Sequence, residues 1–260
     1  MKKILLGTSA LVLLAGAAAA QQVTTKAPFT VTLGGSIRSD WFFFNDDVNN
    51  ASSREARIDY RLNFKAEAKA ENGLTYGFDA RLRNNQNGAN QANQDVVGAD
   101  RKFIYLSGSW GRVEFGDTVS APTEFEVLSP FIFSTADVTF GSAYGNYALY
   151  FPNEGTFHTK VNYYTPTFAG FRAGISYTPE YNSRGRDNAR SKFVTGGGNL
   201  YKDIIAIGAG YNNKFGDVGL KIGAGYEAGE TKETSATVKS TAGDMQVWNI
   251  GAQVSYAGFT

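Results

Sequence analysis

The chain has 260 residues, no cysteine, one histidine and 30 glycines, and its formal charge is +1. No disulfide framework or thiolate metal site can form, and the near-zero charge offers no electrostatic basis for nucleic-acid binding. After the first twenty residues no apolar run reaches the length of a membrane-spanning helix, so a helical membrane protein is excluded.

Residues 1–20 read as a secretory signal. Lys2 and Lys3 precede the apolar run Ile4–Leu14, and Ala18-Ala19-Ala20 supplies a small-residue cleavage site before Gln21. The mature chain, residues 21–260, then carries 23 basic and 24 acidic residues, a net charge of −1.

Ten strands are predicted in chain order, beginning with Phe29–Phe43. The clearest is Glu55–Ala70. Its even positions are Ala56, Ile58, Tyr60, Leu62, Phe64, Ala66, Ala68 and Ala70, and every odd position is polar or charged. A helix would spread those apolar side chains around its circumference, whereas a strand puts them all on one face. Alternation of the same kind marks Leu74–Leu82, Phe171–Tyr177, Val218–Tyr226 and Trp248–Tyr256. Arg101–Gly108, Arg112–Gly116, Thr159–Thr165 and Tyr201–Asn212 complete the set.

The connections alternate in length. Glu71-Asn72-Gly73, Ser109-Trp110-Gly111, Pro166–Gly170, Asn213–Gly216 and Ala257-Gly258 are short. The opening Asn45–Arg54 loop, Asn84–Asp100, Asp117–His158, Thr178–Leu200 and Gly229–Met245 are long. Successive hairpins therefore point to two different ends of one antiparallel sheet. Closing such a sheet into a barrel removes its sticky edges. Alternation alone does not say which face is inside. The export signal, the loop asymmetry and the charged row Arg57, Asp59, Arg61, Lys65, Glu67, Lys69 favour a transmembrane barrel with a wet lumen over a soluble one. Aromatics near strand ends, among them Trp41, Tyr105, Trp110, Tyr163 and Tyr256, suit interfacial girdles. The fold class expected is all-β, an antiparallel transmembrane β-barrel.

Three segments carry a resemblance. They are Phe29-Thr-Val-Thr-Leu-Gly-Gly-Ser-Ile-Arg38, the hairpin Phe103-Ile-Tyr-Leu-Ser-Gly-Ser-Trp-Gly-Arg-Val-Glu-Phe-Gly116, and Tyr163-Tyr-Thr-Pro-Thr-Phe-Ala-Gly-Phe-Arg-Ala-Gly-Ile-Ser-Tyr177. In order, behind a signal peptide, they resemble the general porins of Gram-negative outer membranes, closest to the alphaproteobacterial type. The resemblance covers nearly the whole mature chain. It implies a barrel of about sixteen strands in outer-membrane lipid, a homotrimer, and passive diffusion of small hydrophilic solutes and ions, with no catalysis and no cofactor.

The resemblance also implies that the third long loop, about residues 117–158, folds into the lumen and narrows it. That loop contains Asp117, Glu124, Glu126, Asp137 and Glu154 and no Lys or Arg. Arg38, Arg57, Arg61, Lys65, Arg81 and Arg83, on the polar parity of the first three strands, are the candidate basic wall. Opposite charges across a narrow eyelet would set up a transverse field. The alternative for each charge is a solvated side chain that neutralises a cross-strand neighbour. The chain stops at Gly258-Phe259-Thr260, at the start of an eleventh strand. Because barrels of this class have an even strand count, the expectation is an incomplete chain lacking about five C-terminal strands of the family barrel.

Two other functions compete. A barrel hydrolase would need His158, in Gly155-Thr-Phe-His-Thr-Lys160, as its base. An adhesin or structural barrel would use its outer loops, such as the Asn/Gln-rich Asn84–Gln94. Asn45-Asp46-Asp47 and Asn182–Asp187 offer oxygen ligands for a surface Ca²⁺, without a spacing rule to support them. The glycines of Gly196–Gly198 and Gly208-Ala-Gly210 precede no helix and read as close packing or bending, not phosphate loops.

Overall fold

Alternating sequences of this kind pair as neighbours along the chain, and the computed structural model shows them doing so. It describes residues 29–43, 53–85, 96–127, 157–181, 201–233, 235, 240 and 243–257. The strands are β1 (Thr30–Phe43), β2 (Arg54–Lys69), β3 (Thr75–Asn85), β4 (Val96–Gly108), β5 (Gly111–Thr118), β6 (His158–Tyr164), β7 (Phe171–Glu180), β8 (Tyr201–Phe215), β9 (Val218–Thr231) and β10 (Met245–Tyr256). Among the described residues one short helix, α1 (Ala121–Phe125), follows β5.

All ten strands form one antiparallel sheet in sequence order, β1 to β10, with β1 and β10 at its two edges. Several strands run further than their alternation indicates. β4 begins at Val96, β7 reaches Glu180 and β9 reaches Thr231, because backbone pairing with a neighbour continues where the side-chain pattern has lapsed. The register shifts at Arg81/Leu82 and again between Lys202 and Ile205, beside Asp203 at φ 50°. Both shifts lie toward the long-loop ends of their strands, where bulges re-aim a strand at little cost.

The short hairpins share one end of the sheet. Between β2 and β3, Asn72 Oδ1 accepts the Leu74 amide at 3.1 Å and Gly73 takes φ 86°, a conformation glycine adopts without a Cβ penalty. Aromatics line this end. Phe29 meets Tyr76 edge-on at 5.6 Å, Trp110 stacks with Tyr163 at 6.5 Å, and Phe171 lies 4.4 Å from Tyr211. Tyr163 also donates its hydroxyl to the Trp110 carbonyl at 2.8 Å.

The faces of the sheet are inverted relative to a water-soluble protein. Ile37 is 77% exposed, Ile58 56%, Ile104 60% and Ile250 72%, while Glu114, Lys160, Asn162 and Glu227 are buried. In water a continuous apolar exterior of this extent would drive association. Against lipid it is the favourable arrangement, with polar groups kept on the wet side.

Candidate functional site

The polar face is organised in cross-strand ladders. Register sets Arg61 opposite Arg83, Lys65 opposite Asp79 and Arg81 opposite Arg101. Directly opposed like charges repel, and nearby carboxylates neutralise Arg81, Arg83 and Arg101. Arg81 donates to both oxygens of Asp100 at 2.8 and 2.5 Å, and Arg83 reaches the same carboxylate at 3.4 Å. Arg101 pairs with Asp79 at 2.8 Å, and Lys65 with Glu67 at 2.9 Å. Four of the basic residues proposed from sequence, Arg61, Lys65, Arg81 and Arg83, thus lie together on the polar face of β2 and β3. Arg38 and Arg57 fall in β1 and β2, with Arg38 opposite Asp59 and Arg57 opposite Asp40; their side chains lie outside the described part of the structure.

Aromatic rings hold these guanidinium groups in place. Arg81 lies 4.7 Å over the Phe157 ring, Arg112 3.9 Å over Tyr105, and Arg172 4.8 Å over Tyr164. Stacking against a ring face limits the rotamers of a long side chain and still leaves its charge facing the water.

The acidic residues are distributed less simply. The connection between β5 and β6 spans residues 119–157, so Asp117 belongs to the wall at the end of β5. It is 3% exposed, pairs with Lys102 of β4, and accepts the Thr159 hydroxyl at 2.6 Å. Glu124 lies on α1, 3.4 Å from Arg172 of β7. Glu126 follows α1 and faces Glu227 of β9. Burial in the first place, and the Glu227 charge in the second, raise its pKa above the ordinary carboxylate value. Asp137, Glu154, the Asn/Gln-rich stretch 86–94 and both proposed Ca²⁺ segments lie outside the described residues. Among the described residues no group of three or more carboxylate or histidine ligands comes together.

Residues 119–127 enter the polar side of the sheet and lie on β7–β10. Asn162 donates to the Val119 carbonyl at 2.9 Å, Ser120 to Glu227 Oε1 at 2.5 Å, and the Ala121 amide to Ser176 Oγ at 2.7 Å. Ser120 occupies the N-cap position of α1, but its hydroxyl is turned to the wall and makes no cap bond. Phe125 is buried against Tyr164, 6.1 Å between ring centres. A cleft of about 270 Å³ remains beside α1, lined in part by Glu124, Arg172, Tyr211 and Lys221.

Sequence reasoning did not single out Lys102, Arg112, Arg172, Glu114 or Glu227. Arg112 and Arg172 were legible, since each sits on the polar parity of its strand. Glu227 was not, because it lies just past the last clearly alternating residue of β9. His158, the one candidate base, is 1% exposed at the start of β6, its ring 4.6 Å from that of Tyr181.

Residues 7–260 match the family described as Gram-negative porin. An outer-membrane porin protein of Bordetella pertussis is 28% identical over 206 residues, covering 72% of this chain and 50% of the relative, so the chain spans about half the length of that protein. Two engineered variants of the Rh. blastica porin align over 88% of this chain and 86% of theirs, at 12% and 13% identity and a TM-score of 0.46. With an antiparallel wall that is apolar outside and ionic inside, and a family match over almost its whole length, the chain belongs to the Gram-negative porins of the outer membrane.

Proposed function

We propose that this chain forms the wall of a water-filled outer-membrane channel for passive diffusion of small hydrophilic solutes and ions, working as a homotrimer. The observation that carries the reading is the split between its faces. Isoleucines at 37–77% exposure cover one side, and paired Arg, Lys, Asp and Glu occupy the other. Charges in such a lumen keep their hydration, and ion pairs between neighbouring strands hold them at modest cost.

In this reading the segment after β5 narrows the lumen. Its acids Glu124 and Glu126 stand on one side, and Arg61, Lys65, Arg81 and Arg83 form the basic part of the wall. A transverse field between them would order water and orient dipolar solutes, and would disfavour apolar molecules that must displace that water. Asp117 contributes indirectly, by tying β5 to β4 and β6 where the segment departs.

The test is recording from the full-length protein in planar bilayers, together with flux of neutral sugars into liposomes. Discrete conductance steps and size-dependent flux are expected, and the reversal potential in a salt gradient reports ion preference. Absence of both conductance and flux would overturn the channel assignment and leave a structural or adhesive barrel.

A further inference from the structure

The inward segment rests on a floor built for it. Along β7–β10 the polar positions under α1 are glycines, and they align across strands. Gly174 pairs with Gly208 and Gly208 with Gly225, while Gly210 pairs with Gly223 and Gly223 with Gly251. Two adjacent rungs of the ladder therefore lack side chains on the polar face over three strands each, ending in Asn249 of β10 and Arg172 of β7. The segment fills that space. A Cβ on Gly223 would lie 1.9 Å from the Phe125 carbonyl oxygen, on Gly251 2.5 Å from the Val127 oxygen, and on Gly208 2.7 Å from the Ala121 oxygen. On Gly210 it would meet only the Phe125 side chain, at 2.8 Å.

Beside this floor stands a polar anchor. Asn162, Ser176 and Glu227, each at most 2% exposed, bind Val119, Ala121 and Ser120 in turn. The floor sets how deeply the segment can settle, and the anchor sets where along the wall it does so. Close contact of backbone with backbone needs glycine, since any side chain holds the two apart.

We propose that the Asn162–Ser176–Glu227 anchor and the glycine floor are the positioning residues that set the height of segment 119–127 above the wall, and with it the bore of the channel at this level. The inference rests on the channel reading above. Because the segment lies on the lumen side, anything that lifts it moves it into the water path. A methyl group at position 223 requires the Phe125 carbonyl to retreat by about 1 Å to reach the shortest separation real Cβ atoms show.

The experiment uses the full-length protein in bilayers and liposomes, with folded yield checked first. Gly223→Ala is expected to lower single-channel conductance and reduce the largest sugar admitted. Gly210→Ala should do the same to a smaller degree, and Phe125→Ala in the same chain should restore the bore, since the only clash is with that ring. Glu227→Gln should shift conductance while the barrel still folds. Gly34→Ala, a substitution into open space on β1, should leave everything unchanged. Should Gly223→Ala fail to fold, the Gly210→Ala and Phe125→Ala cycle decides the matter alone. Wild-type flux with wild-type values in the glycine variants would overturn the positioning role and leave the channel intact. No flux through the wild type would instead overturn the channel reading.

Discussion

The Tyr105 hydroxyl donates to Glu67 Oε2 at 2.6 Å, although a whole strand separates the two residues. Tyr105 belongs to β4 and Glu67 to β2, and the ring passes over Gly77 of β3. A Cβ at Gly77 would come within 2.8 Å of the tyrosine oxygen and 2.2 Å of the Ala66 carbonyl. From β5, Arg112 covers the same ring and donates to Glu114 at 2.7 Å. One tyrosine thus ties four strands together across the polar face of the sheet.

Tyr105→Phe keeps the ring and removes the bond. Hydrogen bonds to charged groups contribute about 1.5–3 kcal/mol when buried, and partial exposure of Glu67 puts the expectation near the lower end. Equilibrium unfolding by urea in lipid vesicles would measure the loss. A variant as stable as the wild type would mean that Arg112 stacking alone holds Tyr105.

The Lys102–Asp117 pair is asymmetric, with side-chain exposures of 43% and 4%. Removing the buried carboxylate lets the lysine turn to water. Removing the lysine strands a buried charge, with only its other hydrogen bonds to hold it. Lys102→Met should therefore destabilise by about 1–3 kcal/mol and by more than Asp117→Asn. Comparing the two unfolding midpoints checks the order, and the reverse order would refute the burial argument.

Glu126 gives the docked segment a pH dependence. Its carboxyl is held above the ordinary carboxylate pKa, first by burial and second by Glu227, and its Oε1 lies buried without a hydrogen-bond partner among the described residues. A raised value means that the docked state favours the protonated acid. Its contribution to docking is complete below the ordinary carboxylate range and is lost as pH rises through the raised value. Hydrogen exchange of residues 119–127, corrected for intrinsic rates, should quicken over that rise in the wild type. Glu126→Gln should remove the dependence, and equal pH profiles for the two proteins would contradict it.

Ile104 lies on the apolar face of the sheet at 60% exposure. Ile104→Arg should cost up to about 2–4 kcal/mol in a bilayer, depending on depth. Asn63→Arg, on the polar parity of β2, should be tolerated. Folding yield into vesicles distinguishes them, and an arginine accepted equally at both positions would mean the faces are assigned the wrong way round.

Much of the wall was legible from residues alone. A period of two is a local property, so Ala56 to Ala70 declared their face without reference to any other strand, and short turns such as Asn72-Gly73 committed neighbours to antiparallel pairing. The glycines at 208 and 210 were recognisable as a place of close approach. What approaches them was not. The docking of Phe125 there, the meeting of Ser120 with Glu227 across 107 positions, and the pairing of Asp117 with Lys102 all depend on strand register and on how a connecting segment folds back. Those choices are made by contacts between distant parts of the chain, and a nearest-neighbour pattern carries no record of them. The strands and their two faces follow from the sequence, whereas the height of the inward segment and the partner of each charge are decided only when the sheet brings remote side chains within bonding distance.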